Sequence, residues 1–504
     1  MKACYPNIVE RWSVFEVTVP GKTEGNPFLD HDIFGVFEHK NERVSVSGFY
    51  DGAGIYKVRF MPSFEGSYRF TVSGSFSDTV LQGSFEVKPA SGGNHGPVKV
   101  AGTYHFAYAD GTPYYPVGTT CYAWAHQPQA LRTQTLETLK NGCFNKLRMC
   151  ILPKHYIYNF RDPEFFPYEG SPCDSSGITE ENWETYRPDS ADNHWDLTRF
   201  NPEFFRNLEK QIQSLMDLGI EADLIVMHAY DRWGFSIMDR DADDRYWSYV
   251  IARFAAYRNV WWSLANEYDL MKTKSHSDWE HYADLLCSRD PYDRLRSVHN
   301  CMAFYDYSAP WITHCCIQRQ DAYKCAELTD AYRIRYQKPV VLDEIAYEGN
   351  LTYGWGNISG EELVRRFWEA TARGGYASHG ETYHGEELWW SHGGVLHGES
   401  HPRLKFLRTI LEKTPGLGLK PIAREWDEVV ATAENGTFYY LIYLGFMRPI
   451  YRDYDFGIAS YMVDVIDTWE MKTETLGPFT GRVRIPLPGK KYMALRIYRP
   501  ENAD

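Results

Sequence analysis

Between residues 130 and 385 one unit recurs: an amphipathic helical stretch, a Gly or Asn stop, then an apolar run ending on a polar side chain. "LETLKNGCFNKLRMC" sets Leu136 and Leu139 on one helix face, breaks at Gly142 and continues into a strand carrying Arg148. "LEKQIQSLMDLGIEADLIVMHAY" repeats it with Leu208, Ile212 and Leu215, a stop at Gly219 and a strand ending at His228. "YWSYVIARFAAYRNVWWSLANEY" does so with Tyr246, Val250 and Phe254, then Asn259, then a strand closing on Asn266-Glu267. "EELVRRFWEATARGGYASHGETY" is the last of the series. A helix with one apolar stripe needs a surface to cover, and a strand apolar on both faces needs covering from both sides. The two together specify βα units around a parallel sheet.

Eight windows read as strands of that sheet: "YYPVGTT", "FNKLRMC", "EADLIVMH", "VWWSLAN", "RLRSVH", "ITHCCIQ", "PVVLDEIA" and "GGYASHGE". Eight parallel strands in about 300 residues suit a (β/α)8 barrel of about 250 residues plus insertions. A doubly wound sheet would favour a glycine-rich phosphate turn after its first strand, and "PVGTTCYAW" has no G-x-G-x-x-G. Either side of the barrel the period changes to two. Runs such as "WSVFEVTV", "GIYKVRFMPS" and "GSYRFTVSGS", punctuated by Gly, Asp and Pro, predict an antiparallel β-sandwich over 1–95. Short strands return after "PGLGLKPIA", predicting a second sandwich over 415–504 and leaving 96–414 to the barrel.

A barrel gathers the C-terminal ends of its strands at one mouth, where catalytic groups sit. Strand four ends on Glu267 and strand seven on Glu344, 77 positions later. A charge driven to the end of so apolar a run is costly unless it is paired or put to chemical use. Two carboxylates across one mouth are the equipment of glycoside hydrolysis, one giving a proton to the leaving oxygen, the other attacking the anomeric carbon or activating water. Their mutual repulsion separates their pKa values. His228, at the end of strand three, is a candidate substrate contact, and Gln318 reaches toward the same mouth from strand six.

Composition excludes other classes. A net charge of −14 presents no basic face to nucleic acid or anionic lipid. No apolar run approaches the roughly 18–20 residues of a membrane helix. The sequence has no G-x-S-x-G elbow and no P-loop. Five histidines and four glutamates crowd residues 379–401, but without metal-ligand spacing, so neither metal nor cofactor is expected. Ten irregularly spaced cysteines, no CxxC pair and an N-terminus unlike a signal peptide predict a cytoplasmic protein with reduced thiols. Aromatic residues make up 16% of the chain, a level met where sugar rings stack and in aromatic-rich β-domains alike.

A strand-four Asn-Glu with a strand-seven Glu resembles the large clan of retaining barrel glycosidases that includes the family 5-type enzymes. That resemblance implies Glu267 as acid/base, Glu344 as nucleophile, Arg148 as the arginine supporting the nucleophile and Asn266 as the ligand of the sugar 2-hydroxyl. It loosely matches His299, Tyr305 or His314 to the clan's histidine and tyrosine of strands five to six. It also implies a sugar-platform tryptophan at Trp389 or Trp390, with Trp124 a similar candidate past strand one. Over nearly its full length the chain resembles bacterial proteins with a DUF5060 domain, a DUF4038/apiosidase-like barrel and a DUF5605 sandwich, through "GFYDGAGIYKVRFMPSFEG" and "GGYASHGETYHGEELWWSHGGVLHGES".

The reading is a retaining glycoside hydrolase with a carbohydrate substrate and no nucleic-acid or membrane partner, compatible with a homo-oligomer. Long insertions after strands two and eight predict a pocket and exo-action on short oligosaccharides or glycosides. A catalytically silent sugar-binding barrel and a transglycosylase are the alternatives. The sugar itself is not specified.

Overall fold

The computed structural model describes residues 3–319, 321–423, 426–435 and 438–499. Its centre is the expected barrel. Strands β1 (Val117–Thr120), β2 (Lys146–Cys150), β3 (Glu221–His228), β4 (Val260–Asn266), β5 (Arg296–Ser297), β6 (Cys315–Gln318), β7 (Val340–Glu344) and β8 (Tyr376–His379) form one sheet in which every pairing is parallel. β8 pairs with β1, and a bridge from His299 to Cys316 joins the β5 segment to β6, closing the cylinder. β2, β3 and β4 are buried along their whole length, as continuous apolar runs require.

Helices α1 (Gln129–Asn141), α2 (Pro202–Asp217), α3 (Arg240–Phe254), α4 (His276–Arg289), α5 (Thr329–Tyr336), α6 (Gly360–Ala372) and α7 (Ser400–Leu411) surround it. The predicted stripes lie inward: Leu208, Ile212 and Leu215 of α2 and Tyr246, Val250 and Phe254 of α3 have no exposed surface. The β5–β6 connection is made of turns and has no helix of its own among the described residues.

The N-terminal region is a two-sheet sandwich, five strands facing three. Its core is aromatic: Phe15 stacks on Phe85 at 3.7 Å and Phe37 on Phe60 at 4.3 Å, between centroids. A buried ionic knot fastens it to the barrel. Glu209 of α2 accepts Arg59 Nη1 at 2.5 Å and Arg253 Nε at 2.8 Å, while Arg253 Nη1 reaches Asp51 at 2.8 Å. Burial alone would raise Glu209; Arg59 and Arg253 nevertheless hold its carboxyl low. The C-terminal region is a six-stranded antiparallel sheet with a two-stranded companion.

One element departs from the sequence reading. Residues 98–114, placed in the barrel region with only Tyr114 given to a strand, form a three-stranded antiparallel sheet turning at Asp110-Gly111. It packs beneath the barrel, with Phe106 5.2 Å from Trp261. Consequently Tyr114 and Tyr115 of "YYPVGTT" precede β1.

Candidate active site

Below the mouth the barrel interior is ionic. Lys146 of β2 lies 2.6 Å from Asp223 and 2.7 Å from Asp343, and Arg148 completes the group at 3.6 and 3.8 Å from the same carboxylates. Two cations thus balance two buried anions, which keeps this layer neutral despite full burial. Desolvation would raise Asp343, but Lys146 and Arg148 pull it far below the usual carboxylate range.

The next layer up holds the two candidate glutamates. Asp343 and Glu344 are adjacent, so regular pleating would send only one inward. A bulge resolves this: Gln318 of β6 registers with Glu344, skipping Asp343. Asp343 stays with Lys146, and Glu344 is freed toward the mouth, where it accepts the Tyr122 hydroxyl. Glu267 follows β4 in a left-handed conformation, φ 53° and ψ 57°. Such a conformation is disfavoured by about 1–3 kcal/mol for a residue with a Cβ. The strain turns the carboxylate off the strand axis, to accept the Tyr230 hydroxyl, Asn266 Nδ2 at 3.2 Å and the Cys301 thiol. Burial and that carboxylate raise the Cys301 thiol to about 12, so it donates as a neutral group.

Burial first, and the charge of Glu267 second, lift Glu344 to about 7. Glu344 therefore keeps its proton to a higher pH than an ordinary glutamate. Arg148 links the two glutamates through Asn266, donating from Nη2 to Asn266 Oδ1 at 3.2 Å, and its positive field favours ionised Glu344. Tyr122 stands 3.0 Å from the same Oδ1.

His299 lies under Glu344, Nε2 to Oε1 3.8 Å, fully buried, with its pKa depressed by burial and then by Arg148, hence neutral. Gln318 bounds the site at β6, its carbonyl accepting Asn300 Nδ2 at 2.9 Å. Trp390 packs edge-on against Tyr122 at 5.5 Å and 5.0 Å from Trp355, inside an aromatic wall with Tyr156 and Tyr347.

Three expected contacts are not placed at the mouth. Trp124 is fully buried and donates Nε1 to the Arg132 carbonyl at 3.3 Å, because a tight turn after β1 folds it under α1. Trp389 is likewise core, its Nε1 on Thr119 Oγ1 at 2.8 Å; its neighbour Trp390 takes the outward-facing side of the same helical turn. His228 Nε2 donates to the Leu152 carbonyl, 3.1 Å away, and burial depresses its pKa to about 3; a core histidine describes it better than a sugar ligand.

The sequence reading missed Tyr122 and Tyr230, the hydroxyls on the two glutamates. Each lies two residues beyond a barrel strand, so extending the strand-end rule by one turn would have found them. It also missed Lys154. This ammonium is buried over the faces of Tyr122 at 3.5 Å, Tyr230 at 4.2 Å and Tyr156 at 4.7 Å. Burial lowers its pKa, and its charge lowers that of Glu344 in turn. No pattern in "ILPKHYIYN" marks it.

Glu348, His379 and Glu381 also meet, close enough for a metal ion. The carboxylates already accept backbone N–H groups of His397, Gly398, Glu399 and Ser400 at 2.7–3.0 Å. Gly398 fills the gap between them: a Cβ there would sit 2.4 Å from Glu348 Oε2 and 2.6 Å from Glu381 Oε1. The cluster clamps the loop entering α7 and does not fit a cation. None of the ten cysteines forms a disulfide. No helix of the described chain is long and apolar enough to cross a membrane.

Three family descriptions match along the chain: DUF5060 over residues 8–75, "Apiosidase-like, catalytic domain" over 101–438 and DUF5605 over 426–498, the first and last being domains of unknown function. The crystal structure of a candidate glycoside hydrolase from Bacteroides vulgatus is 37% identical, with a TM-score of 0.89, covering 98% of this chain and 100% of that one. A candidate α-galactosidase/melibiase from Bacteroides fragilis is 12% identical, TM-score 0.44, over 99% and 98% of the two chains. The endo-β-1,4-mannanase of Thermotoga petrophila is 12% identical, TM-score 0.41, over 77% and 98%. Likenesses that low carry no argument here. No curated protein matches the chain.

Proposed function

The chain belongs to the family of the apiosidase-like catalytic domain, and from that premise we propose that it is a retaining glycoside hydrolase acting on a short oligosaccharide or glycoside. The observation that carries this reading is the pair Glu267 and Glu344. Glu267 is buried and Glu344 nearly so, each accepts its own tyrosine hydroxyl, and the charge of Glu267 helps burial raise Glu344 to about 7.

In this scheme Glu344 reacts as the ionised member; the Tyr122 hydroxyl and the fields of Arg148 and Lys154 favour its charge, against burial and Glu267, which raise it to about 7. The scheme assigns the proton to Glu267. It passes to the glycosidic oxygen as the bond from that oxygen to the anomeric carbon breaks and a Glu344 oxygen bonds to the carbon. Glu267, now a carboxylate, takes a proton from water, whose oxygen displaces Glu344 and regenerates it. Asn266 is proposed to hold the 2-hydroxyl and Trp390 to face the sugar ring; Arg148 and His299 keep the pair aligned. Neither metal nor cofactor enters the scheme. The walls built by the insertion after β2 and by the segments after β7 and β8 support exo-action.

The test is hydrolysis of a panel of 4-nitrophenyl glycosides and disaccharides by wild type and Glu344→Ala. Turnover of one glycone by wild type, lost at least 1000-fold in the variant, roughly the scale of removing a covalent nucleophile, supports the reading. Binding of free sugars with no turnover of any panel member contradicts it in favour of a binding barrel.

A further inference from the structure

A cavity of about 690 Å³ opens beside Glu267, within the range of small-molecule sites. Its lining comes from three segments. Tyr230, whose hydroxyl is on Glu267, and Asp231 follow β3. Leu270 to Thr273 follow Glu267 itself. The insertion between β2 and α2 supplies the outer wall, including Trp183 and Arg187.

These walls are fixed. Asp231 accepts three backbone N–H groups, from Trp233, Gly234 and Ser236, at 2.7–3.1 Å. Thr273 Oγ1 bonds the Ser236 carbonyl at 3.0 Å and Lys274 Nζ the Met238 carbonyl at 2.6 Å, tying the β4 loop to the β3 loop. The Trp183 carbonyl meets His155 Nε2 at 3.0 Å, seating the insertion on the loop after β2. Trp183 is half-buried against the aromatic cluster of the active site, while Arg187 and Lys272 are exposed at the rim.

We infer that this cavity is the leaving-group subsite and that the leaving group it takes is a sugar. The inference rests on the assignment of Glu267 as the proton donor. An acid must flank the oxygen it protonates, so the departing alcohol lies on the Glu267 side, where this cavity is. Its lining pairs an indole with charged donors and acceptors, the combination that stacks on a sugar face and bonds its hydroxyls. The natural substrate is therefore at least a disaccharide.

The test compares two substrates sharing the glycone that wild type cleaves: its glycosyl fluoride, whose small leaving group needs no subsite, and its disaccharides. In Trp183→Ala, and less strongly in Lys272→Ala, kcat/KM for the disaccharide falls by about 10- to 100-fold, the effect of deleting an aromatic anchor, while the fluoride changes less than about threefold. Equal losses on both substrates, or no loss on the disaccharide in either variant, overturn the inference. Failure of wild type to turn over any glycosyl fluoride refutes the parent assignment of a retaining glycosidase instead.

Discussion

Tyr122→Phe removes the hydroxyl that faces the proposed nucleophile, Glu344, and Asn266 Oδ1. The substitution keeps the ring, and with it the Lys154 ammonium 3.5 Å from the ring centroid and the edge contact with Trp390 at 5.5 Å. Asn266 Oδ1 keeps the Arg148 bond at 3.2 Å. What is lost is the hydroxyl donating to Glu344. A hydrogen bond to a charged group is worth about 1.5–3 kcal/mol, which at 1.36 kcal/mol per unit raises the Glu344 pKa by about 1–2 units from about 7. The nucleophile must be ionised, and a raised pKa leaves it protonated over a wider range. The acid limb of kcat/KM, which reports the free enzyme, thus moves to higher pH by that amount. Well below the limb the rate falls by about 10- to 150-fold, and it recovers toward wild type as pH rises. Thermal unfolding should be nearly unchanged. A loss uniform across pH, or a limb that stays in place, would refute the electrostatic role given to Tyr122.

Lys154→Met keeps the length of the side chain and removes its charge. Because that charge lowers Glu344, the acid limb again moves upward, and activity at pH 5.5 drops more than at pH 8; equal losses at both would point to packing alone. Glu209→Ala strands Arg59 and Arg253 without their shared carboxylate. Removing one partner of a buried ion pair costs about 3–5 kcal/mol, and urea denaturation reads it; a change under about 1 kcal/mol would mean the knot does not fasten the N-terminal sandwich. Glu381→Gln weakens the clamp on His397 and Gly398. It should lower stability by about 1–3 kcal/mol with no response to added divalent metal or chelator, whereas metal-dependent stability in wild type would reverse the structural reading of that cluster.

The barrel was legible because its signal is redundant. Four of the eight strands repeat one helix–stop–strand pattern, and the ends of β4 and β7 put Glu267 and Glu344 at one mouth. The 98–114 sheet was hidden by its neighbours, since its Asp110-Gly111 turn sits between His95 and a strand that does belong to the barrel. Side-chain direction beyond a strand end was not legible. Trp124, Trp389 and His228 sit at the expected chain positions, yet local turns fold them into the core, and the same turns bring Tyr122 and Tyr230 to the carboxylates. Lys154 was invisible for a different reason: its cage is assembled from three separate loops, which no local spacing records.

The double displacement is tested most directly by azide rescue of Glu344→Ala on the aryl glycoside that wild type cleaves best. The account predicts an inactive variant whose turnover returns with azide, giving a glycosyl azide of inverted anomeric configuration. Rescue to that inverted product from Glu267→Ala, with none from Glu344→Ala, would contradict it and exchange the roles of the two glutamates.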